Sequence, residues 1–288
     1  MKAKLLEGKI LAGGIKEDLT KEIEGLKAKY GKAPKLCALQ VGDNPSSAVY
    51  LKAQSNVSSK LGIDYEIKTL PAGIKEEEFF SVIRELNADD SVNGIIIQLP
   101  LPKGIDSKKA VSLLDPLKDA EGMHPANLGK VLLGDLSIAP CTAMASFKLI
   151  ESTGIDIYGK EAVVIGHSDI VGKPIALMLL NKFATTTVCH IATGEKGLLP
   201  EHVKRAEVLV VAVGRAGIVK GEWVKEGAVV IDIGINKIGD KIVGDVEFDA
   251  ASERASYITP VPGGVGPLTV TMLMKNTVEA FKLQRTKG

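Results

Sequence analysis

At 288 residues with 45% hydrophobic content, the chain exceeds one hydrophobic core and has enough apolar material for two. Lys plus Arg (36) and Asp plus Glu (35) balance to a formal net charge of +1, and the only basic cluster is the pair Lys108-Lys109, so a nucleic-acid-binding surface is excluded. Charge or glycine interrupts every apolar run short of a spanning length, and Glu7 and Lys9 break the opening stretch where a signal peptide needs an apolar core. Cys37, Cys141 and Cys189 are far apart and form no CxxC pair, and His124, His167, His190 and His202 lack metal-ligand spacing. Neither a disulfide framework nor a metal site is expected, His190 and His202 read as structural or surface histidines, and the compartment expected is the cytoplasm.

The first half has an α/β rhythm. Ile15, Leu19, Ile23 and Leu26 line one face of a helix ending near Gly31. There follow a strand over 36–41, a helix over 46–61 that Asn44 can cap and Gly62 stops, a strand over 65–70, a helix around 77–86 and a strand over 94–99. On the second helix Tyr50 and Gln54 lie four apart, so they share a face and would address one ligand; the plainer alternative is an amphipathic helix with Tyr50 partly in the core. The run Gln98-Leu99-Pro100-Leu101-Pro102 ends a buried strand, and its prolines fix an extended path that turns Gln98 inward, where it needs partners. Residues 115–141, rich in Pro, Gly and Asp, read as a connector and the wall of a cleft.

The second half opens with the most informative segment, 161–176. The apolar run Ala162–Ile165 ends at Gly166 and leads into a helical pattern with Pro174 in its first turn, so the free amides there would face a phosphate. Apolar strands over 187–189, 208–213 ending at Gly214, and 228–233 ending at Gly234 follow, separated by helix-length segments. That alternation predicts a parallel sheet with its ligand beyond the carboxyl ends of the strands, where all three glycines fall. Last comes Thr259-Pro260-Val261-Pro262-Gly263-Gly264-Val265-Gly266-Pro267, a stiff glycine-rich loop that lets backbone approach a flat ligand, and an apolar helix over 268–281.

Together, QLPLP at 98–102, KDAEGMHPANLG at 118–129, GHSDIVGKP at 166–174, DIGIN at 232–236 and TPVPGGVGPLT at 259–269 resemble the methylenetetrahydrofolate dehydrogenase/methenyltetrahydrofolate cyclohydrolase family over essentially the whole chain. The resemblance implies two α/β domains around a cleft: a folate-binding domain over 1–120 joined by the C-terminal helix 268–288, a connector over 121–139, and a Rossmann-type NAD(P) domain over 140–265. It implies a homodimer that binds tetrahydrofolate substrates, oxidises the 5,10-methylene form by hydride transfer to NAD or NADP, and in most members hydrolyses the methenyl product. Carried across, Tyr50 aligns the folate, Gln98 bonds near the one-carbon unit, Glu121 grips the pterin, and Pro100, Pro262, Gly263 and Gly264 border the substrate. Gly166, His167, Ser168, Ile170, Val171, Gly172, Thr193, Val213, Gly214, Gly234 and Ile235 hold the dinucleotide.

Four positions depart from the family pattern. Gln54 stands where the catalytic lysine is usual, Glu121 where an aspartate is usual, Ala143-Met144-Ala145 where Pro-x-Gly is usual, and His167 where an arginine follows the first glycine. Hydride transfer needs alignment but no proton carrier, whereas hydrolysis gains typically 10²–10⁴-fold from one. The sequence therefore predicts a dehydrogenase with weak or absent cyclohydrolase activity. Full bifunctionality, a non-catalytic folate-binding paralogue and a different Rossmann dehydrogenase of shikimate or amino-acid type stand as alternatives. His167 and Ile191, the latter in place of a serine that meets the NADP 2′-phosphate, predict that NAD serves at least as well as NADP.

Overall fold

Residues 2–43 and 45–286 are described by a computed structural model. Its eleven strands run in chain order as β1 (Lys4–Leu5), β2 (Lys35–Val41), β3 (Asp64–Leu70), β4 (Gly94–Ile97), β5 (Glu161–Ile165), β6 (Thr185–Cys189), β7 (Val208–Val211), β8 (Val229–Asp232), β9 (Asn236–Ile238), β10 (Lys241–Val243) and β11 (Tyr257–Ile258). The chain divides into two compact units, one of residues up to Gly13, Val131–Gly134 and Thr142–Thr269, the other of Gly14–Lys130, Asp135–Cys141 and the residues from Val270 on.

The unit holding β2, β3 and β4 is a three-stranded parallel sheet in the order β3-β2-β4. Every residue of β4, Gly-Ile-Ile-Ile, is buried, as a strand covered on both faces requires. Phe79 and Ile83 of the helix Glu76–Ala88 pack with Cys37, Leu39, Ile95 and Ile97 in its core. The helix Pro45–Leu61 carries Tyr50 and Gln54, while the proposed cap Asn44 lies outside the described residues. The strand expected over 94–99 stops at Ile97, and the Leu99-Pro100 bond that follows is cis.

The other unit is a six-stranded, wholly parallel sheet in the order β1-β11-β8-β7-β5-β6. Chain direction across the sheet reverses at β5, which has β6 on one side and β7 on the other, so the carboxyl ends of β5 and β7 open on a switch-point crevice. The core beneath is aliphatic, with Val163, Leu209 and Val230 from three adjacent strands wholly or almost wholly buried.

Several expectations change. Residues 2–13 belong with the dinucleotide-type sheet rather than with a domain starting at residue 1, because Lys4 and Leu5 pair with Tyr257 and Ile258. The segment read as a connector contains the helix Pro125–Leu132, fixed by Asp119, a buried carboxylate that accepts from the amides of Gly122 and His124 and from Asn127 Nδ2. The C-terminal helix is Val265–Thr286, so Val265, Gly266 and Pro267 are its first turn and not loop. The antiparallel hairpin β9–β10 and the strands β1 and β11 are additions to the sequence reading.

Candidate active site

At the end of β5 the chain must turn sharply, and Gly166 does so at φ +119°, in the left-handed region that favours glycine. Its amide donates to Cys189 O at 2.9 Å, tying the turn to the end of β6. A Cβ at Gly172 would run into the Gly166 carbonyl, so this second glycine lets the helix Gly172–Leu180 start against the turn. Ser168 Oγ accepts from the amides of Val171 (3.2 Å) and Gly172 (3.3 Å). Two donors expected to be free for a phosphate are thus already satisfied by a side chain, an N-terminal cap built from within the turn.

Beyond the carboxyl ends of β5, β6 and β7 lies a cavity of about 590 Å³. Of the residues expected to hold a dinucleotide, Gly166, His167, Ser168 and Val213 line it. Ile170, Val171, Gly172, Thr193, Gly214, Gly234 and Ile235 do not; Thr193 Oγ1 instead accepts from the amide of His190, which does line it, at 3.2 Å. His190, set aside as structural, lines the cavity with its ring edge-on to His167 at 5.5 Å between centroids. Glu195 and Arg215 also line it and were missed. Glu195 ends the short helix Ile191–Glu195 that follows β6.

Two buried carboxylates fix the loops behind this wall. Asp232, at the end of β8, accepts from the amides of Gly234 (2.9 Å), Asp245 (3.0 Å) and Val246 (2.8 Å). Burial pushes its pKa up to about 6, with those amides pulling down and the Asp245 charge pushing up. Asp245 accepts from the amides of Val213, Gly214 and Arg215 and from Asn236 Nδ2, all between 2.7 and 2.9 Å. A Cβ at Gly234 would collide with the Asp245 carboxyl and one at Gly244 with that of Asp232, so these glycines make room for carboxylates rather than for a ligand. In the loop that follows β11, the Gly8 amide donates to Gly263 O at 3.0 Å and the Gly264 amide to Pro260 O at 2.8 Å, while Pro262, after a cis bond, is exposed.

In the unit of β2–β4 the expected side chains meet in part. Gln54 is 1% exposed, and its Oε1 accepts from Tyr65 Oη at 2.8 Å and from Gln98 Nε2 at 3.4 Å. This is the partner a buried Gln98 required, but it turns Gln54 into a core carboxamide. Tyr50, one helical turn earlier, is 44% exposed, so the two residues do not share an environment as their spacing suggested. Partial burial, then the Glu121 carboxyl and the Cys141 thiol, raise the Tyr50 hydroxyl above its ordinary value. Burial, then the charge of Asp119, pushes Glu121 up to about 8, and no donor reaches its carboxyl among the described residues. Pro100 is exposed beside the buried Gln98. Sequence reasoning missed Asn276, whose buried Nδ2 donates to Ala120 O (2.9 Å) and Ala139 O (2.8 Å), clamping together the main chain just before Glu121 and just before Cys141.

A wholly parallel sheet with a glycine-turn cavity at its switch point defines the class: an α/β enzyme with a dinucleotide-binding unit. Two family models cover nearly all of the chain, the tetrahydrofolate dehydrogenase/cyclohydrolase catalytic domain over residues 6–121 and the NAD(P)-binding domain of the same name over 140–285. The chain belongs to the tetrahydrofolate dehydrogenase/cyclohydrolase family. The bifunctional protein FolD of Acetivibrio thermocellus is 49% identical over 285 residues, covering 99% of each chain, and that of Nitratiruptor sp. is 46% identical over 281 residues, covering 98% of this chain and 99% of the relative. Among solved structures, the bifunctional FolD of Campylobacter jejuni superposes with a TM-score of 0.94 at 43% identity, covering 98% of this chain and 99% of its own. The Trypanosoma brucei enzyme, complexed with NADP and an inhibitor, gives 0.93 at 38% identity over 99% of both chains.

Proposed function

We propose that the chain is a bifunctional enzyme that oxidises 5,10-methylenetetrahydrofolate by hydride transfer to NAD or NADP and hydrolyses the methenyl product to the 10-formyl form. The observation that carries this reading is similarity over essentially full length to relatives named bifunctional, 46–49% identical. It displaces the expectation of a weak cyclohydrolase drawn from Gln54. The cavity beyond β5–β7 is the dinucleotide site in this reading, as the NADP complex of the T. brucei relative supports. Tyr50, Gln98 and Glu121 serve the folate.

Hydride transfer asks the enzyme for alignment and for support of the developing cation. Hydrolysis asks in addition that attacking water lose a proton and a ring nitrogen gain one. The Gln54 amide transfers none. Glu121, with its carboxyl raised to about 8 by burial, exchanges a proton near neutral pH on the way to pairing with the pterin. The specific observation favouring the narrower reading, a dehydrogenase alone, is the burial of Gln54 with its oxygen committed to Tyr65 and Gln98. A spectrophotometric assay separates the two: with methylenetetrahydrofolate and each nucleotide, the bifunctional reading expects transient methenyl absorbance followed by its decay, and stable accumulation sinks it.

For cofactor choice, NAD is expected to serve at least as well as NADP. His167 lacks the fixed fork of an arginine, Ile191 offers no donor, and Glu195 on the cavity wall opposes a 2′-phosphate while accepting from ribose hydroxyls. A preference of about tenfold or more for NADP in kcat/KM overturns this. A homodimer is expected from the family resemblance and a cytoplasmic location from the cysteine spacing, and sedimentation of the purified protein tests the first. Among the described residues no helix is long and apolar enough to cross a membrane.

A further inference from the structure

Asp245 is wholly buried, yet it carries a carboxylate and lies thirty or more positions along the chain from the three amides it binds. Burying such a group without partners is strongly unfavourable, so its four donors must be in place whenever the unit is folded. Three of the four are consecutive main-chain N–H groups, those of Val213, Gly214 and Arg215, which fixes the turn after β7 at every residue. Gly214 takes φ +66° in that turn. The amides face inward onto the carboxylate, so the wall this turn presents to the cavity consists of side chains, Val213 and Arg215.

Arg215 is exposed, lines the cavity, and its guanidinium has no ion-pair partner among the described residues. The carboxylate is held in turn. Asp232 accepts from the Asp245 and Val246 amides, and the Asp232 amide donates to Thr259 Oγ1 at 2.7 Å, so the scaffold reaches back to β8 and to the end of β11. Among the described residues no buried carboxylate supports the turn after β6, where the His190 amide donates to Thr193 Oγ1 at 3.2 Å and the amides of Thr193 and Gly194 donate to His190 O.

We infer that Asp245 is a positioning residue of the dinucleotide site: by binding three consecutive amides it sets the turn that places the Arg215 guanidinium against a phosphoryl group of the bound nucleotide. The inference rests on reading the cavity as the dinucleotide site. Guanidinium and phosphate match as a charge-assisted, two-pronged pair, and a pyrophosphate, common to NAD and NADP, is the anion that a cation on this wall meets whichever nucleotide is used.

The test is a double-mutant cycle read as KM for NAD. Asp245→Asn replaces one accepting oxygen by an NH2 group that confronts an N–H, and it is expected to raise KM between about tenfold and about 100-fold, with the rise in KM exceeding any fall in kcat about tenfold. Arg215→Gln is expected to raise KM by about tenfold. The double variant is expected to lie within about twofold of Asp245→Asn, since the second change removes a group already displaced. Additive effects, or a folded Asp245→Asn protein with unchanged KM, overturn the inference. If wild type binds neither nucleotide, the assignment of the cavity fails as well, an outcome distinct from binding by both wild type and variant.

A second measurement needs no variant and covers the case in which Asp245→Asn does not fold. Val213, Gly214 and Arg215 are exposed, yet their amides are expected to exchange hydrogen about 100-fold slower than unprotected amides in the nucleotide-free protein. Unprotected exchange at all three overturns the inference.

Discussion

Around the cavity beyond β5, β6 and β7, much of the shape is main chain. Glycines let strands and turns approach, a serine caps a helix from within its own turn, and two buried carboxylates bind six amides between them. Around Gln54 the shape is side chain on side chain, with one carboxamide oxygen receiving a phenol and a second carboxamide. A wall of main chain tolerates exchange of the side chains it displays, so substitutions at His167 and Ile191 are expected to leave the fold unaltered. A network of side chains does not separate those effects: Gln54 in place of a lysine changes the chemistry and the packing together.

This contrast is sharpest at Asn276. Asn276→Ala leaves Ala139 O without its donor and Ala120 O with only the weak Cys141 thiol, and the expected loss is about 2 kcal/mol of unfolding free energy by denaturant titration. A loss below about 0.5 kcal/mol would mean that the loops bearing Glu121 and Cys141 hold themselves.

Glu121→Ala is next, with kcat/KM for methylenetetrahydrofolate expected to fall about 100-fold while KM for NAD changes far less. An unchanged folate KM would mark Glu121 as a solvated loop acid and break the contrast on the side-chain side.

The pH dependence should show the same residue. The folded, ligand-free carboxyl is raised from an ordinary value of 4.5 to about 8, so below about 8 it holds a proton that must leave before it can pair as an anion with the pterin. KM for folate is therefore expected to fall as pH rises from 6 to 8, by up to about tenfold per unit, and to level off above. In Glu121→Gln that slope should vanish. Stability follows the linkage sign of a raised acid. The folded state retains the proton that the unfolded chain loses above about 4.5, so this group's contribution is greatest below that pH and is lost as pH rises through about 8.

The smallest expected effect is that of Tyr65→Phe, about 1 kcal/mol from one hydrogen bond to Gln54, which keeps Gln98 as a donor. If hydrolysis of the methenyl substrate rises in this variant, Gln54 is a constrained participant rather than a core group.

The sequence made the central strands legible because each is a short run of buried aliphatic residues, as in Val208–Val211 or Gly94–Ile97. It could not do so for β1 and β11, two residues each, too short to display any period. The hairpin β9–β10 did carry a signal, Gly239-Asp240 between Ile238 and Lys241, with Gly239 at φ +59°. At the site, the glycine turn at 166–172 was readable because its requirement is local. Asp245 was not, since it works on amides some thirty residues away, which leave no mark on side-chain identity. The fate of Gln54 depended on Tyr65 and Gln98, 11 and 44 positions distant, and helical spacing alone placed it with Tyr50 instead.

The pairing of β1 with β11 bears on how the chain is made. The partners of Lys4 and Leu5, Tyr257 and Ile258, are made roughly 250 residues after them, on the order of 10 to 50 s later at ordinary rates of synthesis. The three-stranded sheet, by contrast, has its last strand by Ile97. Throughout that interval β1 has no edge to join. Two residues with exposed side chains present little apolar surface to other nascent chains while they wait, so brevity in this strand protects the chain during its own synthesis.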